Sequence, residues 1–187
     1  MPNVIVIAGP NGAGKSTLAP ALLRDTFGIL EFVNADTIAE GLAAFAPADA
    51  SFDAGRVMLG RLHELAVAGK DFAFETTLAS RFYSKWLREL QGSGYRVSLI
   101  FLWLENTDLA VERVRARVRA GGHDIPEITI RRRYERGLRN LFELYLPVAD
   151  SWRVFDASAK IPKETARYSE TEGETIFNEA IWKKIKR

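Results

Sequence analysis

The sequence contains no cysteine, which excludes disulfide bonds and metal sites built on thiolates. No apolar run approaches the roughly 20 residues that a transmembrane helix needs, and the N-terminus lacks the pattern of a signal peptide. We therefore expect a cytoplasmic protein with no membrane partner.

Net charge is also small, at +2 for 187 residues. The basic residues are clustered rather than spread over the chain, which argues against nucleic acid as a partner. With 47% apolar residues the chain is large enough to bury one core and too short for two comfortable ones. We expect a single domain over residues 1–187.

Short apolar stretches separated by helical patterns predict an α/β fold. The helical patterns lie at about 15–25, 52–68 and 80–90. The apolar stretches are nearly continuous in character, as strands covered on both faces should be. They are Val4–Ala8, Glu31–Asn34, Phe72–Phe74, Val97–Leu104 and Arg153–Phe155. We expect a five-stranded parallel sheet with helices on both faces.

The C-terminal tail, about residues 159–187, has a different character. Strand-like stretches around Glu170–Gly173 predict a hairpin. Asn178 is a candidate N-cap for a short final helix that carries Trp182 and Ile185. These two apolar side chains need cover, so the appendage should pack on the main sheet.

The first predicted strand leads directly into GPNGAGKST, which fits the phosphate-binding pattern G-x-x-x-x-G-K-[ST]. Its glycines allow successive backbone N–H groups to turn toward a phosphate, and the following helix adds its positive end. Lys15 should reach the β- and γ-phosphates of ATP, and the Ser16 hydroxyl should bind Mg²⁺. The expected cofactor-binding residues are Gly9, Pro10, Asn11, Gly12, Ala13, Gly14, Lys15, Ser16 and Thr17.

Two larger classes of P-loop protein lack their signatures here. There is no N-K-x-D motif for reading guanine, no L-S-G-G-Q-like segment, and no strand that ends in Asp-Glu. Small kinases remain, which use the same loop to phosphorylate a bound hydroxyl.

A kinase also needs carboxylates beside its phosphate loop. Asp36 and Glu75 both follow predicted strands, and the carboxyl ends of parallel strands meet at one edge of the sheet. Asp36 is a candidate catalytic base, although it could instead cap the next helix. Glu75 is a candidate for binding acceptor or Mg²⁺, although it could be a strand-end carboxylate satisfied locally.

Nine of the eighteen arginines lie within residues 113–139. Two arginine-bearing helices joined by a turn at Gly121–Pro126 predict a lid over about residues 113–140. Arginines there should meet the negative charge of the transferring phosphoryl group. We select Arg117, Arg132 and Arg133 for this catalytic role, whereas a solvated, salt-bridged surface is the alternative for each arginine.

Four segments together resemble the zeta-toxin-like P-loop kinases: GPNGAGKST, NADTIAEGL, FAFETTLASRF and RVRARVRAGGHDIPEITIRRRYERGLRNL. The resemblance covers residues 3 to about 158, and the chain is shorter than the zeta toxins proper, which phosphorylate UDP-N-acetylglucosamine. It implies that Asp36 is the catalytic base and Glu75 a carboxylate on the substrate or Mg²⁺ side. An antitoxin protein and a nucleotide-sugar acceptor are the implied partners. The residues expected to contact the acceptor are Asn34, Asp36, Glu75, Thr76, Thr77 and Arg81.

The sequence therefore predicts an ATP- and Mg²⁺-dependent kinase that acts on a hydroxyl of a small metabolite. Two alternatives stay open. A polynucleotide-end kinase would need an extended basic groove with stacking aromatic residues, and only a local patch is present. A regulatory or toxin-module protein could bind ATP without efficient transfer, but the combination of Lys15 and Asp36 argues against it.

Overall fold

A computed structural model describes residues 1–43 and 50–186. The strands are β1 (Asn3–Ala8), β2 (Phe32–Val33), β3 (Phe72–Thr76), β4 (Arg96–Trp103), β5 (Ser151–Asp156), β6 (Lys163–Ser169) and β7 (Gly173–Ile176). The helices are α1 (Lys15–Pro20), α2 (Ala35–Leu42), α3 (Ser51–Val67), α4 (Phe82–Gly92), α5 (Thr107–Arg119), α6 (Glu127–Asn140) and α7 (Glu179–Ile185). A π-helical turn, Ala21–Thr26, continues α1, and another, Leu141–Tyr145, continues α6.

The strands form one mixed sheet in the order β2-β3-β1-β4-β5-β6-β7. The first five of these run parallel, in the positions predicted. The expected count of five strands is wrong, because the C-terminal hairpin β6–β7 pairs antiparallel with β5 and extends the sheet. This pairing covers the backbone edge that β5 would otherwise expose, and Arg153 on β5 forms two hydrogen bonds to the Glu164 carboxylate on β6, at 2.7 and 2.8 Å.

Helices cover both faces of the sheet, which explains why the central strands do not alternate between apolar and polar residues. On β1, Val4 and Val6 belong to a core cluster that includes side chains of α3 and α4, whereas Ile5 and Ile7 belong to a second cluster with Ala19 of α1. All four are buried. Within residues 1–43 and 50–186, no helix combines the length and apolar character that crossing a bilayer requires.

The final helix packs where the sequence requires it. Asn178 caps α7 by accepting a hydrogen bond from the Ile181 N–H at 3.0 Å. The Trp182 ring is buried and stacks on Trp152 of β5, with ring centroids 5.5 Å apart. Two predictions for the tail are thus confirmed: Asn178 caps the final helix, and Trp182 is buried against the main sheet.

Helix α6 and the π-helical turn that continues it form hydrogen bonds to the loop that follows β3. The buried Asn140 amide donates to the carbonyl of Leu78 at 2.7 Å, and the Tyr145 hydroxyl donates to the carbonyl of Ser80. Leu78 is itself held at φ 58°, a left-handed conformation that is rare for leucine. Gly137 lets the helix approach so closely that a β-carbon there would overlap the Thr77 carbonyl oxygen. The loop after β3 and the C-terminal half of α6 are therefore tightly joined.

We predict that Gly137→Ala destabilises the protein, because the added methyl group must push the helix and the loop apart. An overpacked core typically costs about 1–3 kcal/mol, more than the roughly 1 kcal/mol that alanine gains over glycine in a helix. Urea unfolding measures the change. Gly60→Ala in α3 is the matched control, since nothing lies within 4 Å of a β-carbon there. Equal stability of the two variants would contradict the tight contact.

Candidate active site

The phosphate loop connects β1 to α1 and is packed against the end of β4. Gly9, Gly12 and Gly14 all have positive φ, at 143°, 80° and 86°. A β-carbon at Gly9 would overlap the carbonyl oxygen of Leu102, so glycine is required by a close approach as well as by its dihedral angle. The predicted strand–loop–helix arrangement of a P-loop is confirmed.

Lys15 lies at the start of α1 and is only 5% exposed. Its ammonium donates a hydrogen bond to the Pro10 carbonyl at 3.0 Å and lies 3.5 Å from Oε1 of Glu75. Burial lowers the pKa of Lys15 below its ordinary value, and the carboxylates of Glu75 and Asp36 oppose this shift. A buried ammonium whose one carboxylate partner lies 3.5 Å away is well suited to bind a phosphate group.

The Glu75 carboxylate joins three segments of the site. It pairs with Lys15, while its Oε2 accepts a hydrogen bond from the Ser16 hydroxyl at 2.7 Å and one from the Asn34 amide at 2.8 Å. The side-chain oxygens of Ser16 and Glu75, which are both possible metal ligands, thus lie 2.7 Å apart at the phosphate loop. This donor set fits Mg²⁺, which binds proteins through one or two oxygen ligands and takes the rest from phosphates and water.

Asn34, rather than Asp36, caps helix α2. The Asn34 side-chain oxygen accepts from the N–H groups of Asp36 and Thr37, at 2.8 and 3.4 Å. Asp36 lies in the first turn, and its carboxylate has no hydrogen-bond or ion-pair partner within residues 1–43 and 50–186. The capping alternative for Asp36 is therefore wrong, and the carboxylate is available for other contacts.

Two cavities meet at Asp36. The donor-side cavity, of about 270 Å³, is lined by Asn11, Gly12, Gly14, Lys15, Ser16, Thr17, Asp36, Glu75, Arg113 and Arg117. The acceptor-side cavity, of about 160 Å³, is lined by Asn11, Lys15, Asn34, Ala35, Asp36, Met58, Glu75, Thr76, Thr77, Tyr83 and Arg133. Asn11, Lys15, Asp36 and Glu75 belong to both. The two cavities are thus neighbours, and their shared wall includes the Asp36 carboxylate, which no side chain in the described part of the chain binds.

The arginines of α5 and α6 fall into different groups. Arg117 lines the donor-side cavity and donates to the His123 carbonyl at 2.8 Å. Arg115 and Arg131 both bind Glu127, and Arg131 also binds Asp108, so these two hold the helices together. Arg133 lines the acceptor-side cavity.

Other predicted residues are not brought to the cavities. Arg132 is exposed and lines neither cavity. Arg81 immediately precedes α4, is exposed, and likewise lines neither, although its carbonyl accepts a hydrogen bond from the Ser84 hydroxyl. Thr76, the last residue of β3, and Thr77, which follows it, both line the acceptor-side cavity, and their contact with an acceptor stays a prediction.

Four cavity residues were not predicted from the sequence, namely Ala35, Met58, Tyr83 and Arg113. Met58 and Tyr83 form an apolar wall, and the Tyr83 hydroxyl contacts the Met58 sulfur at 3.8 Å. Arg113 lines the donor side and donates to the Ser158 carbonyl at 2.7 Å. Met58 and Tyr83 gave no local signal because helices α3 and α4 bring them from separate parts of the chain. Arg113 is part of the predicted arginine cluster, but nothing in the sequence distinguishes it from the other arginines of that cluster.

Comparison with protein families agrees with this P-loop geometry. A family model described as an AAA domain matches residues 4–137. The chain belongs to the AAA domain family. An uncharacterized protein of Haemophilus influenzae is 31% identical over 130 residues, which are 70% of this chain and 91% of that protein.

Solved structures show the same fold at low identity. The AvrRxo1-ORF1:ORF2 complex with ATP aligns with a TM-score of 0.80 and 16% identity over 100% of this chain, which spans 64% of that chain. The PezAT toxin–antitoxin system of Streptococcus pneumoniae aligns with a TM-score of 0.68 and 17% identity, covering 95% of this chain and 75% of that one. A gluconokinase of Sinorhizobium meliloti aligns with a TM-score of 0.55 and 19% identity, covering 84% of each chain. The fold is therefore that of P-loop kinases.

We predict that ATP binding weakens as the pH rises. The weakening should begin at a lower pH than it would for a lysine with an ordinary pKa. Because burial lowers the pKa of free Lys15, some of it is neutral in alkaline solution, and bound phosphates must restore its proton. Calorimetric titration of ATP at about pH 9, in buffers of different ionisation enthalpy, should detect net proton uptake. Absence of uptake in the wild type, or equal uptake by Lys15→Met, would contradict this role.

Proposed function

We propose that the protein is an ATP-dependent kinase that transfers the γ-phosphate to a hydroxyl of a small molecule. The observation that carries this proposal is the junction of two cavities at Asp36, a carboxylate beside the phosphate loop that has no partner among the residues that the structure describes. An ATP-hydrolysing switch would need only the donor-side cavity. A second cavity that shares Lys15, Asp36 and Glu75 supports a second substrate.

The residues divide the reaction between them. In the donor-side cavity the loop N–H groups and Lys15 bind the β- and γ-phosphates. Asp36 takes the proton of the acceptor hydroxyl as its oxygen bonds to the γ-phosphorus, and the bond from that phosphorus to the β,γ-bridging oxygen breaks to release ADP. Arg117 stabilises the charge on the transferring group.

Ser16 and Glu75 are the residues that would hold Mg²⁺. When bound, the ion offsets phosphate charge and orients the β- and γ-phosphates. Glu75 has a second task that needs no metal, because it keeps Lys15, Ser16 and Asn34 in position through its hydrogen bonds.

The resemblance to zeta-toxin-like kinases supports a nucleotide sugar such as UDP-N-acetylglucosamine as one candidate acceptor. The similarity to PezAT, a toxin–antitoxin system, supports an antitoxin as a candidate protein partner. The similarity to a gluconokinase supports a smaller hydroxylated metabolite instead. A transfer assay distinguishes these acceptors. The protein is incubated with ATP labelled on the γ-phosphate, Mg²⁺, and either UDP-N-acetylglucosamine, gluconate or a deproteinised cell extract. ATP binding without labelled product in any of them would favour the regulatory alternative.

We predict that Asp36→Asn lowers the rate of phosphate transfer by roughly a hundredfold or more, the scale of a positioned general base. ATP affinity should change by less than a few-fold, because the loop, Lys15 and the Asn34 cap are untouched. Transfer kinetics and ATP titration measure the two effects. Glu40→Gln, an exposed carboxylate on the same helix, is the control. Normal turnover by Asp36→Asn would remove Asp36 from the mechanism.

We predict that Arg117→Ala lowers kcat by on the order of a hundredfold to a thousandfold, with a smaller rise in the KM for ATP, because its charge is used mainly in the transition state. Arg119→Ala is the control, since this exposed residue lies two positions along the same helix and outside both cavities. Similar small effects in both variants would mean that these arginines form a solvated surface.

A further inference from the structure

Arg133 differs from the other arginines of its helix. It is half-buried in the wall of the acceptor-side cavity, whereas Arg132 and Arg136 are exposed. Arg131 already binds Asp108 and Glu127. Within residues 1–43 and 50–186, no carboxylate lies at salt-bridge distance from Arg133 and no carbonyl accepts a hydrogen bond from it.

Leaving this guanidinium without a partner is unfavourable. Burial lowers the pKa of Arg133, and the neighbouring charge of Arg132 acts in the same direction, while Asp36 opposes them from a distance. A partly desolvated cation of this kind is stabilised strongly by an anion that enters the cavity, and the planar guanidinium suits two oxygens of a carboxylate or phosphate.

We propose that Arg133 binds an anionic group of the acceptor, a carboxylate or a phosphate, in the same cavity as the hydroxyl that is phosphorylated. The acceptor is then a compact hydroxylated anion, with its hydroxyl at Asp36 and its anionic group at Arg133. This inference rests on the proposed kinase function and specifies its substrate class.

The size of the cavity limits what its walls can surround. Its volume is about 160 Å³, and a cavity of about 150 Å³ accommodates a benzene molecule. One ring or a short chain that carries both groups therefore fits against Met58 and Tyr83, and because the cavity is open to solvent on one side, any larger remainder of the acceptor would lie outside it.

The charges already present agree with an incoming anion. Lys15 and Glu75 pair with each other at 3.5 Å, so they largely balance. Asp36 faces the positive side chains of Lys15 and Arg133 without contacting either at salt-bridge distance. An anion on Arg133 would offset the positive charge on this side of the cavity.

The test begins with a deproteinised extract of bacterial metabolites. One portion is passed over charcoal, which removes nucleotides, and the remainder is separated on an anion exchanger before reaction with the full-length protein, Mg²⁺ and γ-labelled ATP. We expect the acceptor to survive charcoal and to be retained by the exchanger. Phosphatase treatment of the retained fraction then abolishes labelling if the anion is a phosphate ester and leaves it intact if it is a carboxylate. Gluconate against glucose gives the same comparison with defined compounds.

An acceptor found in the unretained fraction, or lost on charcoal, overturns this proposal while the kinase function stands. Absence of labelling even with the unfractionated extract removes the kinase function, and the anion site with it. The two failures are therefore distinguishable.

Variants of the protein locate the anion. With the retained fraction as acceptor, Arg133→Ala should raise the KM for acceptor about tenfold or more, the loss expected for a hydrogen bond to a charged group. The dissociation constant for ATP should change by less than about twofold, because Arg133 does not line the donor-side cavity. Arg133→Lys keeps the charge, so its KM for acceptor should lie between those of the wild type and of Arg133→Ala. This variant replaces Arg133→Ala if the alanine variant does not fold.

Arg136→Ala is the matched control, an exposed arginine one turn along the same helix. A fall in kcat with an unchanged KM for acceptor would assign Arg133 to the transferring phosphoryl group and overturn the proposal. Equal behaviour of the Arg133 and Arg136 variants would do so as well.

Discussion

The carboxylate of Glu75 is the interaction on which the site depends. It contacts Lys15 and Ser16 after β1 and Asn34 after β2, while it is itself the penultimate residue of β3. These strands are neighbours in the order β2-β3-β1, so their carboxyl ends meet at one edge. Burying the Lys15 ammonium is costly in free energy unless an opposite charge lies close by. Glu75 supplies that charge and thereby fixes the phosphate loop relative to helix α2.

Strand order then separates the two halves of the site. The phosphate loop follows β1, and the residues on its β4 and β5 side include Arg113, which holds the loop after β5 through the Ser158 carbonyl. The residues on its β2 and β3 side are Asp36, Thr76 and Thr77, which line the smaller cavity. The two cavities share the walls formed by Asn11, Lys15, Asp36 and Glu75. The parallel sheet thus places both cavities at the carboxyl ends of its strands, where ligands of such sheets bind.

Local spacing was enough to predict the phosphate loop, because a strand, a glycine-rich turn and a helix are consecutive in the chain. Asp36 and Glu75 followed from a single topological rule, that parallel strands end at the same edge. Neither argument reaches Met58 and Tyr83, which come to the cavity on α3 and α4 through tertiary packing. Whether Arg132 or Arg133 faces the cavity likewise depends on how α6 is rotated about its axis, because the side chains of adjacent helical residues point about 100° apart. The seven-stranded sheet was missed because the hairpin was read as an appendage rather than as the continuation of β5.

Helix α6 connects the arginine cluster to the acceptor-side cavity. Its C-terminal half is joined to the loop after β3 through Gly137 and Asn140. Arg133 lies one turn before Gly137, so the guanidinium and the Thr76–Thr77 wall belong to one packed unit. The joining turn at residues 120–126 is held by the hydrogen bond from Arg117 to the His123 carbonyl and by Ile125, which is buried in the same cluster as Val111 and Val114 of α5. Helix α5 and the turn are therefore anchored in the core as well, and the closing lid stays a prediction from the sequence. What distinguishes Arg133 is its place in the wall of the acceptor-side cavity, next to the segment that Gly137 and Asn140 hold in position.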